Sequence, residues 1–242
     1  MIEQLPTQAE LADNIARVRA TIADAAARAG RMSDEITLVA VSKTKPASLI
    51  RIAHALGMTD FGENRVQDAL PKIAELRHEG LAGIRWHMIG HVQTNKVNKI
   101  IGSFDAVQSV DSLRLAQALN NHASELGVRL AILLQVNVSG EQSKEGMTPE
   151  ETPELARQVL ALPHLDVQGL MTIAPQVAHP EEARPVFQGL RVLRDQLREQ
   201  LPASSWQHLS MGMTDDYPIA IEEGATLVRI GRAIFGERPR PE

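Results

Sequence analysis

Strand-like and helix-like segments alternate along this chain, and that alternation limits the possible folds more than any other feature. Apolar, β-branched runs predict eight strands, at 36–43, 58–62, 84–89, 104–109, 129–137, 165–171, 206–210 and 226–231. Amphipathic patterns between them predict helices at 46–56, 65–78, 93–101, 111–126, 149–161, 180–200 and 215–223. A further helix precedes the first strand, from a capping box at Thr7 and Glu10 to Gly30.

Two architectures have this alternation, a closed barrel and an open doubly wound sheet. The length of 242 residues matches the usual size of the barrel. No G-x-G-x-x-G follows the first strand, where a dinucleotide-binding open sheet would carry one. No linker-like stretch divides the chain. We therefore predict an α/β fold, a single (β/α)8 TIM-type barrel over residues 1–242 with an extra N-terminal helix.

Composition excludes several classes of function. A net charge of -5 and only seven aromatic residues argue against a nucleic-acid partner. The absence of cysteine excludes disulfides and thiolate chemistry. The acidic start does not resemble a secretory signal, and no apolar run is long enough to cross a bilayer. These features predict a cytoplasmic protein with no membrane association.

Polar residues collect where the predicted strands end, which is the face on which barrels carry their functional sites. The polar ones are Lys43, Asn64, His87, Asn137, Thr172, Ser210 and Arg229, and Met171 and Gly231 lie at the same strand ends.

Lys43 has the same strand parity as Val39 and Val41, so it points into the barrel if they do. Desolvation at an apolar barrel mouth lowers a lysine pKa and frees the amine for imine chemistry. Lys45 lies beside the helix entry, where we expect it to reach water. The alternative is that both lysines are solvated or pair with Glu63.

Two glycine-containing turns follow the seventh and eighth strands, where barrels often bind phosphate. The first contains Ser210, Gly212 and Thr214, and the second contains Gly231 followed by Arg232. Hydroxyl groups and backbone N–H groups at such turns suit an anion. The alternative is an ordinary capped turn at each position.

Arg229 lies within the last strand, where an always-charged side chain requires a partner. It would donate either to a ligand ring nitrogen or carboxylate, or to an acid such as Glu63. His87 and His91 are poorly arranged for a metal, so no metal site is predicted and a hydrogen-bonded supporting role is expected. An imine-forming lysine, a phosphate site and an arginine between them suggest pyridoxal 5′-phosphate (PLP).

Seven motifs in order resemble the pyridoxal phosphate homeostasis protein family. They are LVAVSKTKP, FGENRVQDA, WHMIGHVQTNK, VQSVDS, VNVSGEQSKEGM, GLMTIAP and LSMGMTDDYPIAIEEGATLVRIGRAIFGER. The resemblance implies a barrel like the N-terminal domain of alanine racemase, with PLP held as a covalent imine on Lys43. It also implies phosphate contacts from Ser210, Thr214 and the Gly231 backbone, with Arg229 near the pyridine nitrogen.

The cofactor-binding residues expected on these grounds are Lys43, Asn64, His87, Met171, Ser210, Gly212, Thr214, Arg229, Gly231 and Arg232. Arg232 departs from the family, which often has a small hydroxyl residue there. Tyr217 is the only tyrosine in the chain, and we expect it to lie too far from the lysine to act as a second base.

We therefore expect a non-enzymatic protein that stores, buffers or delivers PLP, possesses no catalytic residue, is a monomer and has apo PLP-dependent enzymes as possible partners. A PLP-dependent amino-acid racemase of weak or restricted activity is the first alternative. A cofactor-free Schiff-base aldolase using Lys43 is the second.

Overall fold

A computed structural model describes residues 5–141 and 144–236. The strands are β1 (Thr37–Val41), β2 (Asp60–Glu63), β3 (Arg85–Met88), β4 (Ala106–Val110), β5 (Leu130–Gln135), β6 (Leu165–Met171), β7 (His208–Ser210) and β8 (Leu227–Ile230). The helices are α1 (Gln8–Arg28), α2 (Ala47–Ala55), α3 (Val66–His78), α4 (Leu113–Glu125), α5 (Thr152–Leu160), α6 (Arg184–Gln200), α7 (Tyr217–Glu222) and α8 (Arg232–Phe235).

The eight strands are parallel and close into one barrel in sequence order, as predicted. Closure is made between β1 and β8, where Thr37 lies opposite Leu227 and Val39 opposite Arg229. The predicted N-terminal helix is confirmed as α1, and its capping box is present: Thr7 and Glu10 exchange hydrogen bonds. That residues 1–242 form one domain stays a prediction.

Alternation along β1 separates two buried regions. One contiguous apolar cluster lies between the barrel and its helices and includes Leu38 and Ala40. Val39 and Val41 are buried but lie outside that cluster. The inward parity predicted for β1 is therefore confirmed, and the barrel interior is a separate layer.

Some local predictions were wrong. The segment predicted as helix 93–101 contains a 3₁₀ helix, Thr94–Lys99, because asparagines compete for backbone hydrogen bonds and weaken an α-helix. Predicted helix 111–126 corresponds to α4, which begins later, after its cap Ser112, whose hydroxyl accepts from the Leu115 N–H. Predicted helix 180–200 begins with a 3₁₀ turn at Pro180–Ala183 before α6. Helix α8 was not predicted.

The helices in the described part of the chain include none with the length and apolar character needed to cross a bilayer.

Candidate functional site

A four-residue turn at the end of β1 carries Lys43. The Lys45 N–H donates to the Ser42 carbonyl over 3.0 Å and closes the turn. Thr44 is its third residue and has a φ of 66°, a left-handed value that is unusual for a β-branched side chain and that glycine or asparagine fills in most turns of this kind. Lys43 is half-buried, and the strained backbone fixes its position at the barrel mouth.

A buried ion pair holds the first residue of this turn. The Ser42 hydroxyl donates to Glu63 Oε1 over 2.6 Å, and Lys72 Nζ lies 2.5 Å from the same oxygen and 3.0 Å from the Ser42 carbonyl. Glu63 is wholly buried. Among the described residues, the hydrogen-bond partners of Glu63 are Ser42 and Lys72 rather than Arg229 or the two lysines of the turn.

Lys45 differs from expectation. Its side chain is buried, with 6% of its surface exposed, rather than reaching water at the helix entry. It lines a cavity of about 550 Å³ with residues of α1 and α8, among them Glu10 and Phe235. Lys45 therefore faces a cavity beside α1 and α8, which the sequence pattern did not predict.

Asn64 follows β2 directly and stands two residues beyond the Val41–Gly62 pair, as Lys43 does on β1. Its Oδ1 atom is buried and, among the described residues, has no hydrogen-bond partner. The backbone is held close to the next loop, because a Cβ on Gly90 would lie 2.3 Å from the Asn64 carbonyl oxygen. A rigidly held, unsatisfied amide at the height of Lys43 suits a ligand that carries a polar group there.

Arg229 lies inside the barrel with 4% of its surface exposed. Its Nη1 donates to Ser210 Oγ over 2.6 Å and its Nη2 to the Thr172 carbonyl over 2.8 Å. Neither of these partners carries a charge. Burial lowers the pKa of Arg229 to about 10, and the charge of Asp216 offsets part of that effect.

Ser210 is the last residue of β7 and is wholly buried. Its hydroxyl donates to Gln108 Oε1 over 2.7 Å while accepting from Arg229. His87 is also buried; Asp60 Oδ1 lies 2.9 Å from its Nε2 and Gln108 Nε2 lies 3.0 Å from its Nδ1. The polar groups of Ser210 and both ring nitrogens of His87 are therefore engaged with other side chains.

The loops after β7 and β8 are tied together at the mouth. Gly212 has a φ of 92°, and a Cβ there would lie 2.6 Å from Ala220 Cβ, so only glycine can occupy this position. Its carbonyl accepts from the Arg229 N–H over 3.0 Å. Arg232 donates to Asp215 and so joins the two loops by an ion pair.

Thr214 is half-buried in the first of these loops, and Gly231 is half-buried at the start of the second. Gly231 lies beside β1, since a Cβ on it would lie 3.4 Å from the Val41 carbonyl oxygen. Met171 is wholly buried and lies outside the apolar cluster beneath the helices, so it faces the barrel interior. All these residues lie at or below one rim of the barrel.

Sequence reasoning missed two residues of this region, Asp60 and Gln108. Each is polar and buried, and each lies next to a residue of the apolar cluster, Phe61 beside Asp60 and Val107 beside Gln108. That inward parity was the available signal. Among the described residues, no group of three or more metal-ligating side chains is placed to hold an ion.

Comparison with known proteins defines the class first. Residues 9–239 match the family described as alanine racemase, N-terminal domain. An alanine racemase from Clostridium difficile is 17% identical, with a TM-score of 0.73 over 96% of this chain and 57% of that one, which shows a likeness in fold alone. The chain is thus a barrel of the alanine racemase N-terminal type.

The particular family follows from closer relatives. Proteins named pyridoxal phosphate homeostasis protein from Pseudomonas aeruginosa and Escherichia coli are 48% and 43% identical, covering 94% and 95% of this chain and 96% and 97% of their own. PipY of Synechococcus elongatus, solved with PLP bound, is 37% identical with a TM-score of 0.83, over 93% of this chain and 100% of that one. This chain belongs to the pyridoxal phosphate homeostasis protein family.

Proposed function

We propose that this protein binds PLP and acts in PLP homeostasis, by storing, buffering or delivering the cofactor without robust catalysis of its own. The observation that carries the proposal is the likeness to PipY, whose solved structure contains PLP and which matches the whole barrel. The names of the relatives support the same role. We further propose that the protein is a cytoplasmic monomer and that apo PLP-dependent enzymes receive the cofactor from it.

Lys43 is the proposed covalent anchor, through an imine between its Nζ and the aldehyde of PLP. The residue continues the inward parity of β1, and the turn that bears it is held by the Lys72–Glu63–Ser42 contacts and by the strained Thr44. Such fixation reduces the backbone conformational entropy that the turn loses when its lysine binds a ligand. Asn64, at the same height, is proposed to bind a polar substituent of the ring.

Arg229 is proposed to donate to the pyridine nitrogen. A guanidinium has donors and no acceptor, so it favours an unprotonated ring nitrogen. A ring in that state withdraws electrons poorly, which disfavours transamination and suits a holding role. Met171 is buried inside the barrel and pairs with Ser210, which accepts from Arg229, and it is proposed to pack against the ring.

The phosphate is proposed to bind between the loops after β7 and β8. Thr214 would donate its hydroxyl, and Gly212 and Gly231 would bring the backbone close. Arg232 would add positive charge at the rim from its position against Asp215. Ser210, whose hydroxyl is engaged with Arg229 and Gln108, lies beneath this site; a direct phosphate contact would require its hydroxyl to turn.

A titration of purified protein with PLP, followed by visible absorption, tests the proposal. We expect an imine band with the wild type and with Lys45→Met, and none with Lys43→Ala. Lys45 is the matched control because it is the neighbouring lysine and lies against a different cavity. An equal band from Lys43→Ala, or none from the wild type, would contradict the assignment.

Assays on the same proteins separate the other candidates. Interconversion of D- and L-amino acids that disappears in Lys43→Ala would establish a racemase instead. Borohydride trapping of a keto acid by colourless, PLP-free protein would establish an aldolase.

A further inference from the structure

A line of hydrogen bonds crosses the barrel interior from Arg229 to Asp60. Arg229 Nη1 contacts Ser210 Oγ at 2.6 Å, Ser210 Oγ contacts Gln108 Oε1 at 2.7 Å, and Gln108 Nε2 contacts His87 Nδ1 at 3.0 Å. The line ends where His87 Nε2 meets Asp60 Oδ1 at 2.9 Å. Its five side chains come from β8, β7, β4, β3 and β2, so it spans the barrel rather than following one strand.

The two ends fix the direction of every bond between them. A guanidinium only donates, and an ionised carboxylate only accepts. The Ser210 hydroxyl accepts from Arg229 and must give its own hydrogen to Gln108. The Gln108 amide then donates to His87 Nδ1, which leaves the ring hydrogen on Nε2, directed at Asp60. All four donors therefore point from the cation to the anion.

Burial makes this arrangement energetically important. Burial lowers the pKa of Arg229 to about 10, so its charge needs compensation. Burial alone would raise the pKa of Asp60, but hydrogen bonds from His87, Arg85 and Thr59 outweigh it and bring that pKa to about 2. Asp60 is thus a charged carboxylate, and its second oxygen is held by Arg85, whose own side chain is 61% exposed.

We propose that Asp60 is the remote counter-charge of Arg229, and that His87, Gln108 and Ser210 are positioning residues that connect the two through aligned hydrogen bonds. Aligned bonds polarise one another and strengthen the whole line. The line holds the guanidinium in one orientation inside the barrel. That PLP is the ligand of Arg229 rests on the proposed function. The hydrogen-bonded line itself is independent of it.

Asp216 is the competing counter-charge, because its field also favours the charged form of Arg229. Its Oδ1, however, accepts from the Met213 N–H over 2.6 Å, and burial raises its pKa, so it is the less firmly ionised of the two acids. His208 also faces this interior, from β7. Burial lowers its pKa, and it contacts Thr226 rather than the line.

Heteronuclear NMR of the histidine ring nitrogens tests the line in protein without PLP. We expect His87 to carry its hydrogen on Nε2 and none on Nδ1. Gln108→Glu should place a hydrogen on Nδ1, since a carboxylate cannot donate there, while Asp216→Asn should leave the His87 signals unchanged. A wild-type His87 with its hydrogen on Nδ1 would overturn the proposed direction, as would an unaltered ring in Gln108→Glu.

The dissociation constant for PLP tests whether the line also affects ligand binding. We expect Asp60→Asn, which keeps shape but removes charge, to raise the dissociation constant at least about tenfold, the loss typical of a weakened hydrogen bond to a charged group. Asp216→Asn should change it less than about twofold by the same scale. The reverse order of effects would make Asp216 the counter-charge and refute the proposal.

The binding experiment and the NMR experiment test different statements. A wild type that binds no PLP would refute the proposed function, and the His87 signals would still decide whether the line exists. If Asp60→Asn does not fold, the His87 signals of the wild type and of Gln108→Glu still support or overturn the line.

Discussion

Replacing Thr44 by glycine should stabilise the protein while weakening the site. Thr44 is exposed, so the substitution removes no buried contact. A non-glycine residue at a φ of 66° destabilises the folded state by about 1–3 kcal/mol. Glycine relieves that strain, but its greater freedom in the unfolded chain offsets about 0.5–1 kcal/mol of the gain. The net gain is about 1 kcal/mol, which for a chain of this size raises Tm by about 2–4 °C.

The same substitution releases the turn that fixes Lys43. Greater backbone freedom beside the lysine should cost about 1 kcal/mol when PLP orders it, or roughly a fivefold higher dissociation constant. Thermal unfolding and PLP titration measure the two effects, and Thr44→Asn is the control because asparagine tolerates positive φ. A lower Tm in Thr44→Gly, or tighter PLP binding, would refute the account of a strained, positioning turn.

Three further predictions concern the framework. Lys72→Met should lower the free energy of unfolding by about 3–5 kcal/mol, since it leaves Glu63 buried without its cation, and the double variant with Glu63→Gln should recover part of that loss in urea denaturation. Gly90→Ala should displace the Asn64 backbone, because the added Cβ would lie 2.3 Å from its carbonyl oxygen; a crystal structure with Asn64 unmoved would contradict this. Asp60→Asn should lower stability by about 2 kcal/mol at pH 7. The folded-state pKa of Asp60, about 2, lies below the unfolded value. The difference in free energy of unfolding between wild type and Asp60→Asn should therefore shrink as the pH falls from about 4 towards 2. A difference that stays constant over this range would contradict the prediction.

The barrel could be predicted because each of its strands is marked by a pattern within a short stretch of sequence. Each strand is a short apolar run with turn residues on both sides, and alternation along β1 separates Val39 and Val41 from Leu38 and Ala40. Helix boundaries were less certain, since a cap such as Ser112 competes with its acidic neighbour Asp111 in any one-dimensional pattern.

The interior polar residues could not be predicted in the same way. Gln108 lies in AVQSV and Asp60 before FGE, and neither forms a motif with its neighbours. Their partners come from other strands, the Gln108–Ser210 contact joining residues 102 positions apart. The burial of Lys45 likewise depends on α1 and α8 packing around it, which no local pattern contains.

Borohydride reduction followed by peptide mapping determines whether Lys43 holds PLP. Protein loaded with PLP is treated with borohydride, digested, and the modified lysines are located by mass spectrometry. The account predicts loss of the visible band and a pyridoxyl group on Lys43, with Lys45 unmodified. A label on Lys45, or one spread over surface lysines with Lys43 unmodified, would contradict it.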